Sequence, residues 1–202
     1  MKKIDLSAYL AMREGAEILE ADSYGEKVLR LTNGNILKLF RKKRLISSSL
    51  WSPYATRFSR GAVRLTSRGI RAPEIIDVFR IPELKRDGVL YAPIPGNTLR
   101  QEFRMDPATK NIKTVRATLA DFVRTLFDRG IYFRSLHLGN IVRTPDGTLG
   151  LIDIADIRTF PMPLPRLMRK RNLEKMLRNC EPGEDQWIDP DAILALKPGE
   201  TR

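Results

Sequence analysis

The sequence predicts an α+β protein of two lobes, in which a β-rich N-terminal half with one helix precedes a mostly helical C-terminal half. Short β-type runs separated by turn residues fill much of the first 92 residues. Pro93-Ile94-Pro95-Gly96 then interrupts the pattern and predicts a hinge. Beyond the hinge, Ile112 to Arg129 has the apolar periodicity of a helix and is followed by the stop residue Gly130. This order of elements is typical of the α+β class.

An antiparallel sheet and one helix account for the predicted N-terminal lobe, residues 1–92. The runs 28–32 and 35–40 flank Asn33-Gly34, the dipeptide most typical of a two-residue hairpin. This hairpin places Lys38 inside an otherwise apolar strand. Further strands are predicted at 16–21, 75–79 and 89–91, and the helix is predicted at 54–68.

The C-terminal lobe is predicted to cover residues 93–180. A short helix is expected at 98–103, and a basic helix is expected between Pro163 and Cys180. Between the long helix and the basic helix, short strands are predicted at 131–133, 141–142 and 149–154. Residues 181–202 have weak periodicity and are predicted to form a tail.

The composition excludes several classes of site and location. The chain of 202 residues has one cysteine and one histidine, so it has no intrachain disulfide, no cysteine-based zinc site and no multi-histidine metal site. No uncharged apolar run reaches the length of a membrane-spanning helix, and Asp5 interrupts any leader-like apolar region. These features predict a cytoplasmic protein, with peripheral contact at the inner face of the cytoplasmic membrane as a further expectation.

The net charge of +12 is concentrated in one segment. Twelve basic residues lie between Lys27 and Arg71, and no acid occurs between Glu26 and Glu74. On a helical wheel, part of this segment forms a basic stripe composed of Arg57, Arg60, Arg64, Arg68 and Arg71. Such a surface suits an anionic membrane, a phosphorylated glycolipid or nucleic acid. Nucleic acid ranks lower because no aromatic residues alternate with the basic ones.

The order of motifs resembles that of the protein-kinase-like fold. A strand lysine, a hinge strand Leu90-Tyr91-Ala92, the loop 132–142 and the sequence Ile152-Asp153-Ile154-Ala155-Asp156 follow one another at familiar spacings. The similarity is to the small bacterial lipopolysaccharide core kinases of the Kdo/WaaP and InaA-like type, and it covers about residues 18 to 178. In that family the catalytic loop is similar to H-x-D-L-H-x-x-N.

The resemblance implies an ATP site and a Mg²⁺ site. Lys38 would hold the α- and β-phosphates, and the backbone of Leu90, Tyr91 and Ala92 would bond the adenine edge. Asn140 and Asp153 would hold Mg²⁺ through hard oxygen ligands. Taken singly, Lys38 also fits a strand lysine that extends its amine to solvent, and Asp153 also fits a strand-end cap.

Three departures from the family pattern concern the chemistry directly. The catalytic aspartate expected five residues before Asn140 is Ser135. The helix after Lys38 has no acid to pair with the lysine, and Phe58 or a neighbour takes that place; Glu14, Glu17, Glu20 and Asp22 are alternative partners. The turn Asp22-Ser23-Tyr24-Gly25-Glu26 has one glycine, which predicts a poor phosphate-cradling loop.

Two further residues are candidates for catalytic roles. His137 either organises the loop through backbone bonds or relays a proton. Asp156, three residues after Asp153, either supplies the missing carboxylate or caps a turn. If Ser135 only orients the acceptor hydroxyl, we expect Ser135→Asp to raise the rate at little cost to folding.

The sequence therefore predicts an ATP-dependent kinase that phosphorylates a sugar hydroxyl of the lipopolysaccharide inner core. A pseudokinase that binds ATP or anionic envelope components without turnover is the main alternative. A basic nucleic-acid-binding module with a kinase-like fold is the third.

Overall fold

The structure is a computed structural model that describes residues 1–41 and 53–195. The described residues form two compact units. Unit 1 takes the described residues of Met1–Ser67 and Ala72–Ile94, and unit 2 takes those of Arg68–Arg71 and Pro95–Arg202. The fold class is α+β, with a mixed six-stranded sheet in unit 1 and six α-helices among the described residues. None of the helices in these described ranges is long and apolar enough to cross a bilayer.

Unit 1 is organised around its sheet. The strands are β1 (Lys2–Lys3), β2 (Glu17–Asp22), β3 (Gly25–Arg30), β4 (Ile36–Arg41), β5 (Glu74–Ile81) and β6 (Arg86–Ala92). They lie in the order β1-β5-β6-β4-β3-β2. Every neighbouring pair is antiparallel except β1 with β5, which is parallel. The sheet is therefore mixed rather than purely antiparallel as predicted, because a two-residue edge strand has no periodicity to detect.

Two helices belong to unit 1. Helix α1 (Leu6–Met12) begins at Asp5, whose carboxylate accepts a hydrogen bond from the Ala8 amide at 2.8 Å. Helix α2 (Tyr54–Thr66) packs on the sheet through Phe58 and Leu65, both fully buried. Burial of one such side chain contributes about 1.5–3 kcal/mol. The predicted helix extended to Arg68, but α2 ends at Thr66.

Unit 2 combines four α-helices with short strands. Its helices are α3 (Leu99–Met105), α4 (Ile112–Asp128), α5 (Arg166–Arg178) and α6 (Pro190–Leu194). Its strands are β7 (Asn97–Thr98), β8 (Ile131–Phe133), β9 (Ile141–Arg143), β10 (Leu149–Leu151) and β11 (Ile157–Thr159). The strands form one sheet in the order β10-β9-β7 and a separate antiparallel pair, β11 with β8.

Helix α4 ends at a position that only glycine can occupy. Gly130 has φ +68°, and a Cβ added there would lie 2.3 Å from the Phe160 carbonyl oxygen. The chain therefore turns directly from the buried apolar stripe of α4 into β8, which carries the chain to the site described below.

Residues 182–195 are part of unit 2 rather than a tail. A single 3₁₀ turn, Glu184–Trp187, precedes α6, and Trp187 is buried against Phe103 at a ring-centroid distance of 5.5 Å. The sequence prediction of a tail is wrong for this segment because its core residues are too few and too irregularly spaced to show periodicity.

Candidate functional site

The pairing of β8 with β11 determines which loop residues of unit 2 meet. Phe133 in β8 pairs with Ile157 in β11. Ser135 follows β8 by two residues and Asp156 directly precedes β11, so the antiparallel register brings these two side chains together. The hairpin of β9 and β10 lies between them in sequence and brings Asn140 next to the segment that leads to Asp153.

Ser135 and Asp156 form a hydrogen-bonded pair. The Ser135 hydroxyl donates to Asp156 Oδ2 at 2.6 Å. The other carboxylate oxygen, Oδ1, is buried and has no hydrogen-bond partner in the described structure. Burial raises the pKa of Asp156 above its ordinary value, although the bond from Ser135 and the charge of Arg134 act in the opposite direction. A carboxylate with a raised pKa therefore lies next to the residue that replaces the expected aspartate.

The amide of Asn140 is oriented by the loop that contains it. Its Nδ2 donates to the Ser135 carbonyl at 2.8 Å and lies 3.1 Å from His137 Nε2. Since the amide nitrogen donates to the Ser135 carbonyl, the oxygen Oδ1 is the atom left for a ligand. Asn140 is almost fully buried, so its side chain is held in this orientation by packing as well.

His137 organises the loop in its neutral form. Its Nδ1 accepts a hydrogen bond from the Gly139 amide at 3.1 Å. Burial and the nearby Arg100 guanidinium lower the pKa of His137, while Glu184, Asp153 and Asp156 oppose the shift. The backbone bond favours the loop-organising role of the two roles considered for His137.

Asp153 adopts a backbone conformation that is uncommon for a residue with a side chain. Its φ of +52° and ψ of +45° place it in the left-handed region, where strain concentrates at functional sites. The amide of Ile152, one residue earlier, donates to the Asn140 carbonyl at 3.0 Å and ties the two segments together. Asp153 itself is exposed.

The donor set of Asn140 and Asp153 fits Mg²⁺. Mg²⁺ prefers oxygen ligands and is usually held by one or two protein groups, with substrate phosphates and waters completing its shell. No group of three or more His, Cys, Asp or Glu side chains able to hold a metal occurs within the described ranges.

Two buried polar residues that the sequence analysis missed support this loop. Asn172 of α5 is fully buried and brackets the Phe133 backbone, accepting from its amide at 3.1 Å and donating to its carbonyl at 2.7 Å. Fully buried Glu184 accepts from Arg100 Nε at 2.6 Å. The only sequence signal for Asn172 is an amide beside the apolar residues Leu173 and Met176. No local signal pairs Glu184 with Arg100, which is 84 residues away.

In unit 1, Lys38 lies in β4 among aromatic rings. Its Nζ is 5.8 Å from the centroid of Phe40 and 6.0 Å from that of Phe58. Phe58 belongs to α2, so this helix presents a ring at the side of Lys38 where the family pattern has a glutamate. Three of the alternative acids pair with other cations: Glu17 with Arg30 at 3.1 Å, Glu20 with Lys27 at 2.8 Å and Asp22 with Lys27 at 3.6 Å.

The predicted adenine-binding residues belong to an interior strand of the sheet. Leu90 and Tyr91 pair with β4 on one side and with β5 on the other. Only Ala92, which pairs with Glu74 of β5, lies beyond the β4 pairing. The backbone from Ala92 onward is therefore the part of this segment best suited to a base edge.

The turn between β2 and β3 is held by side chains of its own unit. Asp22 Oδ1 accepts from the Tyr24 amide at 2.8 Å, and the Arg86 guanidinium donates to the Tyr24 and Glu26 carbonyls. The Arg41 guanidinium lies 3.4 Å from the Tyr24 ring centroid. The Tyr24 amide, which a phosphate-cradling loop would offer to a nucleotide, is thus occupied by Asp22.

The predicted arginine stripe is divided between the units. Arg57, Arg60 and Arg64 lie on α2, whereas Arg68 lies beyond the helix end in unit 2 and donates to the Arg129 carbonyl at 3.3 Å. Arg71, also in unit 2, pairs with Asp146 at 2.6 Å. The continuous five-residue stripe is therefore wrong, because the helix stops before its last two members. The adjoining residues Lys42, Lys43 and Arg44 fall outside the described ranges.

Comparison with known proteins adds no family to this geometry. No protein-family model matches the chain, and no curated protein matches it either. What the site does is therefore argued below from its own residues.

Proposed function

We propose that the protein is a Mg²⁺-dependent phosphotransferase of the protein-kinase-like fold. In this proposal it moves the γ-phosphoryl group of ATP to a sugar hydroxyl of the lipopolysaccharide inner core. The observation that carries the proposal is the 2.6 Å hydrogen bond between Ser135 and Asp156. Through this bond, the carboxylate of Asp156 lies next to the Ser135 hydroxyl, at the position where the family motif has an aspartate.

In the proposed mechanism, Ser135 and Asp156 act on the acceptor hydroxyl as a pair. Because the Ser135 proton points to Asp156, the lone pairs of its oxygen are available to accept a hydrogen bond from the incoming hydroxyl. As the new P–O bond forms, the bond between the γ-phosphorus and the β–γ bridging oxygen breaks and ADP leaves. The acceptor proton passes to Ser135, and the Ser135 proton passes to Asp156. The raised pKa of Asp156 favours this last transfer, since a base works best when its pKa approaches the working pH.

The remaining residues would hold the nucleotide. Lys38 would contact the α- and β-phosphates, and the backbone from Ala92 would bond the adenine edge. Asn140 Oδ1 and the Asp153 carboxylate would hold Mg²⁺, which neutralises phosphate charge when bound. Phosphoryl transfer needs little covalent help from a protein, so this positioning accounts for most of the expected rate enhancement.

The acceptor and location follow from charge. Arg57, Arg60 and Arg64 on α2 give unit 1 a basic face suited to the anionic inner leaflet, where each such residue contributes about 1 kcal/mol. A phosphorylated core glycolipid is displayed at such a surface. Nucleic acid is a weaker candidate because the described basic faces have no run of aromatic residues for base stacking.

One observation favours the second candidate, a pseudokinase. Asp22 occupies the Tyr24 amide and Arg86 holds the carbonyls on either side of Gly25, so the β2–β3 turn offers few donors to phosphates. A protein of this kind would bind nucleotide weakly or not at all, and its anionic surface ligand would be its functional partner.

Thermal unfolding with and without Mg²⁺-ATP tests the nucleotide site. We expect Mg²⁺-ATP at 100 times its Kd to add about 2.7 kcal/mol to the stability of the wild type. The double variant Lys38→Ala/Asp153→Ala should lose this gain, whereas Glu83→Ala, an exposed turn residue, should retain it. No gain at millimolar Mg²⁺-ATP would refute the nucleotide site.

Transfer of labelled γ-phosphate to purified core glycolipid then separates the two candidates. Transfer that is lost in Asp156→Ala supports the kinase. Nucleotide binding without transfer, under conditions in which the protein stays folded, supports the pseudokinase.

A further inference from the structure

A cavity of about 330 Å³ lies in unit 2 between the pair β8–β11 and helix α5. Tyr132 of β8 is directly opposite Arg158 of β11, so both side chains point to the same side of this pair. Arg171 and Lys175 are four residues apart on α5 and face the cavity together. Arg134 and Phe160 also line the cavity.

The charged residues of this cavity all have the same sign. Four cationic side chains line it, and no acidic residue does: Arg134, Arg158, Arg171 and Lys175. Within the described part of the chain, no carboxylate oxygen lies within 4.0 Å of the nitrogens of any of the four. Lys175 instead contacts the Tyr132 ring, with Nζ 5.9 Å from its centroid.

Other arginines of unit 2 are paired with acids. Arg169, two residues before Arg171 on the same helix, pairs with Asp128 at 2.9 Å. Arg100 pairs with Glu184 at 2.6 Å, and Arg143 pairs with Glu102 at 3.0 Å. The four cavity residues lack the acid partner that these three arginines have, and clustered like charges of this kind are stabilised by an external anion.

We propose that this cavity binds a phosphomonoester dianion carried on a small organic group such as a sugar. Three guanidinium groups offer paired N–H donors that match the oxygens of a phosphate, and Lys175 adds a point charge. The rings of Tyr132 and Phe160 form an apolar wall for the organic group. The volume lies at the lower end of the range typical of small-molecule sites, about 300–1,000 Å³.

The position of the cavity connects it to the Ser135–Asp156 pair. Arg134 is the residue before Ser135, and its charge acts on Asp156. The cavity and the proposed catalytic pair therefore draw on neighbouring residues of one loop, Arg134 and Ser135. Binding at the cavity does not depend on the proposed phosphotransferase, because none of the cavity residues is assigned to the nucleotide or to the metal.

Binding of defined probes to the full chain tests the cavity. The probes are a hexose 6-phosphate, inorganic phosphate, vesicles that contain phosphatidic acid in phosphatidylcholine, and a single-stranded oligonucleotide. We expect Arg158→Ala to weaken binding of the phosphomonoester probe about tenfold or more, the usual effect of removing a charged hydrogen bond. Arg158→Lys should retain part of the affinity, since it keeps the charge and loses the paired donors.

Arg178→Ala is the matched control. It removes the same charge at an exposed position of α5 outside the lining, so the affinity should stay within about twofold of wild type. If the hexose 6-phosphate binds and Arg158→Ala weakens this binding, the ligand is a soluble phosphomonoester. Binding of phosphatidic acid vesicles alone, with the same sensitivity, identifies a lipid headgroup.

Two results would overturn the proposal. One is equal loss of affinity in Arg158→Ala and Arg178→Ala, which would mean a diffuse basic surface. The other is binding of the oligonucleotide in preference to every phosphomonoester probe, which would identify a phosphodiester ligand. Both readouts are independent of ATP, so failure of the kinase proposal and failure of this one are distinguishable.

Discussion

Units 1 and 2 each depart from the kinase-like pattern at one expected carboxylate, and they fill the gap with different chemistry. In unit 2, Ser135 replaces the aspartate of the catalytic loop, and Asp156 lies 2.6 Å from its hydroxyl. In unit 1, α2 has no acid near Lys38, and the Phe58 ring centroid lies 6.0 Å from the lysine amine. One unit keeps a carboxylate at the site, whereas the other offers an aromatic face.

The carboxylate of Asp156 and the ring of Phe58 differ in the chemistry that each can perform. A carboxylate accepts a proton and a strong hydrogen bond, so under the proposed function Asp156 would supply the chemistry of the aspartate that the resemblance implies at position 135. An aromatic ring attracts an ammonium group by about 0.5–2 kcal/mol but offers no hydrogen-bond acceptor of comparable strength. We therefore expect proton transfer to be better preserved than nucleotide positioning.

The largest expected effect is that of Asp156→Asn. The amide still accepts the Ser135 hydrogen bond but takes no proton, so phosphate transfer to core glycolipid should fall about 10²–10⁴-fold. Because burial raises the pKa of Asp156, the charged form is costly at neutral pH, and the variant should melt at or above the wild-type temperature.

The exposed acid Asp106 provides the control for this variant. Asp106→Asn should change neither the rate nor the melting temperature appreciably. An Asp156→Asn protein with wild-type transfer rate would show that Asp156 is not the proton acceptor.

The variant Ser135→Asp sharpens the comparison. The sequence alone predicted a higher rate at little cost, but the structure places the new carboxylate beside Asp156, where two like charges compete for one proton. We now expect a lower melting temperature and no gain in rate. The double variant Ser135→Asp/Asp156→Ser keeps one carboxylate and one hydroxyl, and it should recover both properties.

The melting temperature and the rate of phosphate transfer are measured on the same preparations of the single and the double variant and then compared. If Ser135→Asp alone is as stable as the wild type and transfers phosphate faster, the hydrogen bond between Ser135 and Asp156 contributes to neither stability nor rate.

In unit 1, Lys38→Met tests whether Lys38, which lies beside two aromatic rings, contacts a bound nucleotide. Methionine keeps most of the apolar stem and removes the charge, so the stability without ligand should change little. The Kd for Mg²⁺-ATP should rise about tenfold, the typical effect of one charged hydrogen bond. Lys27→Met on the neighbouring strand β3 is the control, because Lys27 pairs with Glu20 and is assigned no ligand. An unchanged Kd in Lys38→Met would remove unit 1 from the nucleotide site.

The smallest expected effect concerns pH. The pKa of His137 is lowered in the folded protein, so the unfolded chain takes up the proton first as the pH falls below 6.5, and the folded state loses stability. Asp156 works in the opposite direction because its pKa is raised. The difference in unfolding free energy between wild type and His137→Gln, followed from pH 7.5 downward, isolates the histidine. A difference that stays constant with pH would contradict the lowered pKa.

Much of the secondary structure follows from local sequence. The Asn33-Gly34 hairpin, the two strands on either side of the turn at Lys85 and the stripe of α4 all depend on patterns within about ten residues. The sequence did not predict α1, β1 or α6, which have seven, two and five residues and are too short to show a clear period.

The candidate site divides in the same way. Sequence by itself selected Ser135, His137, Asn140, Asp153 and Asp156, since all lie in one motif of 22 residues from 135 to 156. It left open whether Asp156 supplies the missing carboxylate or caps a turn. The hydrogen bond between Ser135 and Asp156 is a feature of the tertiary structure alone, because strand register determines which side chains meet and depends on contacts far apart in the chain.

The residues that support the site were decided by tertiary structure alone. Asn172 and Glu184 are buried polar groups whose partners lie 39 and 84 residues away, and burial without those partners would cost free energy. The same holds for the cationic cavity, whose four basic residues come from three separate elements. Composition predicted a basic protein with an anionic partner, but the absence of acids around particular arginines is a property of how the chain packs.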